Sequence, residues 1–168
     1  LFAGEISGNK FNEINSPLQF RHPLTQVRVK VIKPALLTEQ IEVKKITLKN
    51  GRLPVGIDLV NEKVIYGPAV DVDILNSPSS PQEVTPTSEY SGVPVMVEPY
   101  ATNKIYFDVE TTSMPYTDVE ATINDDPNFL SGKAYVITLT FRGGFNDIET
   151  AASIASWEVG QPGGGGLD

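Results

Sequence analysis

The stretch AYVITLTFRGG, residues 134–144, decides the fold class. Tyr135, Ile137, Leu139 and Phe141 occupy every second position, and on a pleated strand that period sends one face to a core and the other to solvent. Three of the four are aromatic or β-branched, types that suit a strand rather than a helix. Gly143-Gly144 then supplies the positive φ values of a tight turn and predicts a hairpin into a final strand. Downstream, Ile148, Ala151, Ala152, Ala155 and Val159 fit a helix, whereas Ile148, Thr150, Ala152 and Ile154 fit a strand. The preceding double-glycine turn favours the strand.

The same period recurs outward from this segment. Val27, Val29 and Val31 alternate with Arg28 and Lys30, and Val70, Val72 and Ile74 alternate with Asp71 and Asp73. Ile105, Phe107 and Val109 precede the SMPY turn at 113–116, after which Val119, Ala121 and Ile123 repeat the pattern, so these two segments are expected to pair. In PALLTEQIEVKK the set Leu36, Leu37, Gln40 and Ile41 is spaced like a helical turn, while IEVKKITL alternates twice with a phase slip at Lys44-Lys45. The expectation is a short turn or loop followed by a bulged strand. Residues 76–93 are rich in Ser, Thr and Pro and read as a long surface loop. A single all-β domain is predicted over 1–160, an antiparallel sandwich, with a disordered glycine-rich tail at 161–168.

Composition excludes several functions. The 168 residues carry 13 Lys and Arg against 21 Asp and Glu, a net charge of −8. That balance opposes nucleic-acid partners, which are bound through clustered cations. With no Cys and one His, a thiol nucleophile, a Cys-ligated metal and a site needing two imidazoles are all impossible. No apolar run approaches the ~20 residues of a membrane-spanning helix. No cofactor or metal site is expected.

Four acidic pairs are candidates for chemistry: Asp71/Asp73, Asp108/Glu110, Asp118/Glu120 and Asp125-Asp126. Glycoside hydrolysis needs two carboxylates about 5 to 9 Å apart across a cleft. These pairs instead occupy the polar parity of their strands and read as solvated faces; a weak calcium site is the alternative. His22 continues the parity of Leu18 and Phe20, so its ring is expected on the same apolar face in a structural role. Its partners in a nucleophilic triad are missing, since no Gly-x-Ser-x-Gly elbow occurs. Gly163–Gly166 lack the Lys-Ser/Thr of a phosphate loop. Pro78–Pro81 spells Pro-x-x-Pro, a common pattern in a Ser/Pro loop. Trp157 reads as core, and Tyr66, Tyr100, Tyr106 and Tyr116 are candidates for stacking on a carbohydrate.

The opening LFAGEISGNKFNEINSPLQFRHPLTQVRVKV resembles the fimbrillin-like proteins of Bacteroidales, in which an aliphatic-aromatic-Ala segment precedes a Leu-x-Phe-x-His strand and an alternating Val strand. Here those are Leu18, Phe20, His22 and Leu24, then Val27, Val29 and Val31. KKITLKNGRLPVGIDLVNE, PVMVEPYATNKIYFDVETT and SGKAYVITLTF with the IETAASIASWEVG ending are similar to later family segments in the same order. PVMVEP departs from the family's more usual Pro-Gln. The resemblance implies a transthyretin-like, seven-stranded sandwich that forms the C-terminal domain of a two-domain surface lipoprotein, its lipid anchor outside this chain. It further implies export to the outer membrane as a non-enzymatic fimbrial subunit. Its partners would be other subunits, docked by strand complementation, or a host or bacterial surface ligand, and Leu18, Phe20, His22 and Trp157 would be structural family positions. The ending after Trp157 in a glycine tail points to a tip or accessory subunit rather than a stalk subunit. The alternative from a different class is an outer-membrane carbohydrate-binding module of a glycan-utilisation system.

Overall fold

The computed structural model describes residues 2–3, 20–124, 126–143 and 148–155, with side chains from His22 onward. Leu18, the Phe20 side chain, Asp125, Gly144, Trp157, Val159 and the glycine tail lie outside the described residues. Eleven strands follow one another without a helix among the described residues: β1 (Phe2–Ala3), β2 (Phe20–Arg21), β3 (Thr25–Ile32), β4 (Glu42–Asp58), β5 (Lys63–Asn76), β6 (Gln82–Glu83), β7 (Glu89–Val97), β8 (Lys104–Thr111), β9 (Pro115–Thr122), β10 (Ala134–Phe141) and β11 (Ile148–Ala155).

Two sheets form a sandwich. One has the order β11-β10-β3-β7; the other has β5-β4-β8-β9, with β6 added to β4. β1 and β2 form a separate two-stranded ribbon. The sandwich therefore holds nine strands rather than the seven expected; β6 and the start of β7 fall within residues 76–93, which read as a loop. The all-β class is as predicted. Pairing is antiparallel except between β3 and β10, which run parallel from Gln26/Ala134 to Ile32/Thr140. A parallel pair needs a crossover, and here the chain makes it by passing through the second sheet between β7 and β10.

Alternation places the core. β3 is buried at every second residue from Thr25 to Val31, and β8 at Ile105, Phe107, Val109 and Thr111. β10 buries Tyr135, Ile137, Leu139 and Phe141, with Val136 covered as well. The phase slip at Lys44-Lys45 is a register shift of β4 on β8 between Val43 and Lys45. The SMPY hairpin forms, its Thr111 N–H donating to the Met114 carbonyl at 3.0 Å. Gly143 has φ of 80° and opens the turn between β10 and β11, which pair antiparallel along their full lengths.

Residues 76–93 are not one loop. Gln82 and Glu83 pair with Val43 and Glu42, Val84 is fully buried in the core, and β7 already begins at Glu89. Val84 is drawn inside while Val93 stays exposed, and the short bridge satisfies the backbone of Val84's neighbours. Gly92, with φ of 65°, lets β7 lie directly against β5: a Cβ there would stand 1.9 Å from the Ile74 carbonyl oxygen. Gly92→Ala is expected to cost about 3 kcal/mol or more. Gly56→Ala, whose new methyl meets only Ile65 at ordinary contact distance, should stay within about 1 kcal/mol of wild type. Urea unfolding of both variants checks this; a silent Gly92→Ala would mean that the two strands do not touch.

Candidate interaction surfaces

The acidic residues do not converge on a reactive centre. Asp71, Asp73, Asp108 and Glu110 line one open depression on the outer face of the second sheet, together with Lys45, Thr47 and Leu53. Lysines are interleaved among them: Lys45 Nζ lies 3.0 Å from Asp73, and Lys49 Nζ lies 2.7 Å from Asp118 and 3.7 Å from Asp108. Glu120 pairs with Lys104 at 2.7 Å. Among the described residues no group of three His, Cys, Asp or Glu is placed to hold a metal ion. Asp126 has a structural setting, with Lys133 Nζ at 2.7 and 2.8 Å and the buried Tyr135 hydroxyl donating to it at 2.8 Å. That hydroxyl also accepts the Leu130 N–H at 3.0 Å. Burial first, and the Asp126 carboxylate after it, push the Tyr135 phenol up to about 12.

The four tyrosines sit in four different settings. Tyr100 packs edge-on against Phe129 at 5.8 Å, with its hydroxyl buried, and burial pushes that phenol up to about 12. Tyr116 packs edge-on against Phe141 at 6.0 Å. Tyr106 lies exposed on the outer face and donates to Glu120 at 3.1 Å. Tyr66 is half-buried beside Arg52, its hydroxyl 3.4 Å from the Pro23 carbonyl. His22 is exposed, contrary to the apolar face expected for it. β2 ends at Arg21, residues 22–24 lie outside any strand, and β3 then buries Thr25 and Val27.

Two surface features stand out instead. The first is an arm. The pairing of β4 with β8 stops at Leu48/Phe107, but β4 and β5 continue together to Asp58 and Lys63. Val55, Ile57, Leu59 and Val60 are 67%, 55%, 81% and 91% exposed along it, and Ile65 on the return strand is exposed too. The tip is closed by Asp58, whose carboxylate accepts the Val60 and Asn61 N–H groups at 3.0 and 3.1 Å and the Asn61 amide at 2.7 Å. Those bonds, chiefly Asn61's, hold the Asp58 carboxyl below its ordinary value. The base is clamped by Arg52, which pairs with Glu98 and donates to the Gly67 carbonyl at 2.9 Å, while the Glu98 N–H donates to the Arg52 carbonyl at 2.9 Å. Exposed apolar residues gathered on one element make the arm a candidate contact surface. Leu53, Val55, Ile57 and Leu59 alternate in the sequence, a signal masked by the Pro54 and Gly56 set between them.

The second feature is the seam between β9 and β11, the outermost strands of the two sheets. Across it the Thr150 hydroxyl donates to the Glu120 carbonyl at 2.7 Å. Beside that bond runs a groove of about 290 Å³ lined by Pro115, Tyr116, Thr117, Val119, Glu120 and Ile148. A smaller hollow of about 190 Å³, with Ile41, Thr111, Met114 and Gly143 in its walls, adjoins it at Tyr116. Among the described residues no strand pairs with the outer edge of either β9 or β11.

The fold is a β-sandwich with a grooved seam, a projecting apolar ribbon and carboxylates that are paired rather than convergent. The fimbrillin-like family model matches residues 1–157, and the chain belongs to that family. No curated protein matches it in sequence. Among solved structures, a candidate cell adhesion protein of Bacteroides uniformis is similar at 13% identity and a TM-score of 0.55, over 83% of this chain and 52% of its own. A candidate cell adhesion protein of Bacteroides ovatus gives 19% identity and 0.48, over 86% and 49%. A fimbrial protein of Bacteroides vulgatus gives 17% and 0.44, over 83% and 56%. The likeness to the B. uniformis protein is one of fold, and the chain spans about half the length of these neighbours.

The Asp126 cluster yields a pH prediction. Hydrogen bonds from Lys133 and then Tyr135 hold the Asp126 carboxyl below its ordinary value. Its contribution to stability is therefore complete above the unfolded value of about 3.9 and is lost as pH falls through the lower folded value. Asp126→Asn should lower the melting temperature at neutral pH, with the gap from wild type closing below about pH 3. A gap that stays constant across that range would remove the carboxylate from the account.

Proposed function

We propose that this chain is the sandwich domain of a non-enzymatic fimbrial subunit displayed at the cell surface, and that it receives an extended strand from a neighbouring subunit along the β9/β11 seam. Membership of the fimbrillin-like family supports the fimbrial role. The observation that carries the docking mode is the groove that runs beside the β9 and β11 edges. Among the described residues no strand pairs with the outer edge of either. A strand entering the groove would hydrogen-bond one edge and set alternate side chains against Ile148, Val119 and Tyr116, the physics of strand addition. A subunit that receives a strand in this way takes part in the filament, and a tip or accessory position is one such role. Its anchorage at the outer membrane belongs to the same reading.

The test uses the cysteine-free chain in fimbriated cells. Thr117→Cys on β9 and Ser153→Cys on β11, each carrying a photo-crosslinker, are expected to capture another fimbrial subunit, and Ile148→Asp to reduce filament-associated protein by about tenfold or more, a loss of at least about 1.4 kcal/mol of docking free energy. Absence of adducts at both positions would sink strand addition at the seam. Binding to a glycan array that is abolished by Tyr106→Ala or Tyr66→Ala would transfer the chain to the carbohydrate-binding reading.

A further inference from the structure

Two residues other than glycine adopt left-handed backbone in adjacent parts of the second sheet, Asn50 at φ of 54° and Asp118 at φ of 55°. Each sits in a register break. Lys49 and Asn50 are set against Asp71 between the Leu48/Val72 and Gly51/Val70 pairs, and Thr117 and Asp118 against Asp108 between the Phe107/Val119 and Val109/Tyr116 pairs. The two bulges are built alike. The Asn50 N–H donates to the Asp71 carboxylate at 3.1 Å, and the Asp118 N–H donates to the Asp108 carboxylate at 2.9 Å. In both, an aspartate on the neighbouring strand satisfies the backbone donor that the bulge exposes.

Between them lies Lys49. Its ammonium reaches Asp118 at 2.7 Å and Asp108 at 3.7 Å, so it spans from β4 across β8 to β9. Asp71 lies in the same electrostatic field, and these carboxylates raise the Lys49 pKa above its ordinary value, the hydrogen bond to Asp118 first. The β4 bulge stands at the root of the arm. Leu48/Phe107 is the last pair between β4 and β8; immediately after the Lys49-Asn50 bulge, β4 leaves that partner and becomes the arm. A bulge bends its strand and increases its twist, so the geometry of this one sets the arm's bearing.

We propose that Lys49 is a positioning residue: by tying the β4 bulge to the β9 bulge across β8, it fixes the direction in which the apolar β4–β5 arm leaves the sandwich. Two other ion pairs on this face, Lys45 with Asp73 and Lys104 with Glu120, join neighbouring strands and touch neither left-handed residue.

The test is a distance distribution. The chain has no cysteine, so spin labels at Leu59→Cys on the arm tip and Ser153→Cys on β11 report the arm alone. Lys49→Met should broaden the distribution and speed amide exchange at Gly51, Arg52 and Val55 about tenfold or more, with exchange at Val29 and Leu139 unchanged. Lys49→Arg should restore the narrow distribution, and Asp118→Asn should reproduce the effect of Lys49→Met, the double variant being no worse than either. Lys45→Met is expected to leave the distribution narrow. An unchanged distribution in Lys49→Met, or equal broadening in Lys45→Met, overturns the assignment. So does a Lys49→Met variant whose Val29 and Leu139 amides lose protection as far as those of the arm, since Lys49 would then support the whole sandwich.

Discussion

The structure hangs on the parallel register of β3 and β10. These two strands are the inner pair of their sheet, and every residue they turn inward, from Val27, Val29 and Val31 to Tyr135, Ile137, Leu139 and Phe141, is at most 1% exposed. Two parallel neighbours cannot be joined by a tight turn, so the chain between them must go elsewhere, and it builds the rest of the sandwich on the way. β4, β5, β8 and β9 are laid down opposite, facing β3 and β10 with Ile46, Leu48, Ile105, Phe107 and Val109. Only then does the chain return through Phe129 and Leu130 to β10. The return is pinned at the same end of both strands, where Thr25 donates to the Leu130 carbonyl at 2.8 Å and the Gln26 N–H donates to the Lys133 carbonyl at 3.0 Å. Phe129, wedged edge-on against Tyr135 at 4.7 Å, closes that end of the core.

What was legible in the sequence was local. The alternation at 27–31, 105–109 and 135–141 marks strands and their buried faces because a half-buried strand has only one period available to it. Even the bulge in IEVKKITL could be read, since a slip in that period has one geometric meaning. Non-local pairing leaves no such mark. Nothing in TQVRVKV or AYVITLT specifies that they run parallel, and nothing in the Ser- and Pro-rich stretch after Asn76 announces that Val84 alone is drawn into the core. His22 shows the same limit in reverse. Alternation from Leu18 and Phe20 places its ring inward only while the strand lasts, and β2 ends at Arg21, before Pro23, which has no N–H to give a ladder.

The candidate surfaces were less visible than the core, for a related reason. An interaction surface violates the pattern that makes sequences readable: Leu53, Val55, Ile57, Leu59 and Val60 look like residues that should be inside. The carboxylates mislead in the opposite direction. Asp108 and Asp118 read as solvated charges at strand spacing, yet each accepts or carries a backbone bond of a bulge. Their role comes from the register breaks around them.

The arm and the seam present their edges differently. Along the arm, Pro54 lacks a donor and two register breaks flank it, devices that blunt an edge against pairing. Among the described residues the outer edges of β9 and β11 have no strand partner. The arm is left to make contacts through side chains. A two-stranded ribbon is marginal in water by itself, so its order must be imposed from the base, where Arg52 grips Glu98 and the Gly67 carbonyl on one side and Lys49 holds the bulges on the other. A ribbon held at its root by charges, and apolar along its length, keeps its bearing without burying its own surface.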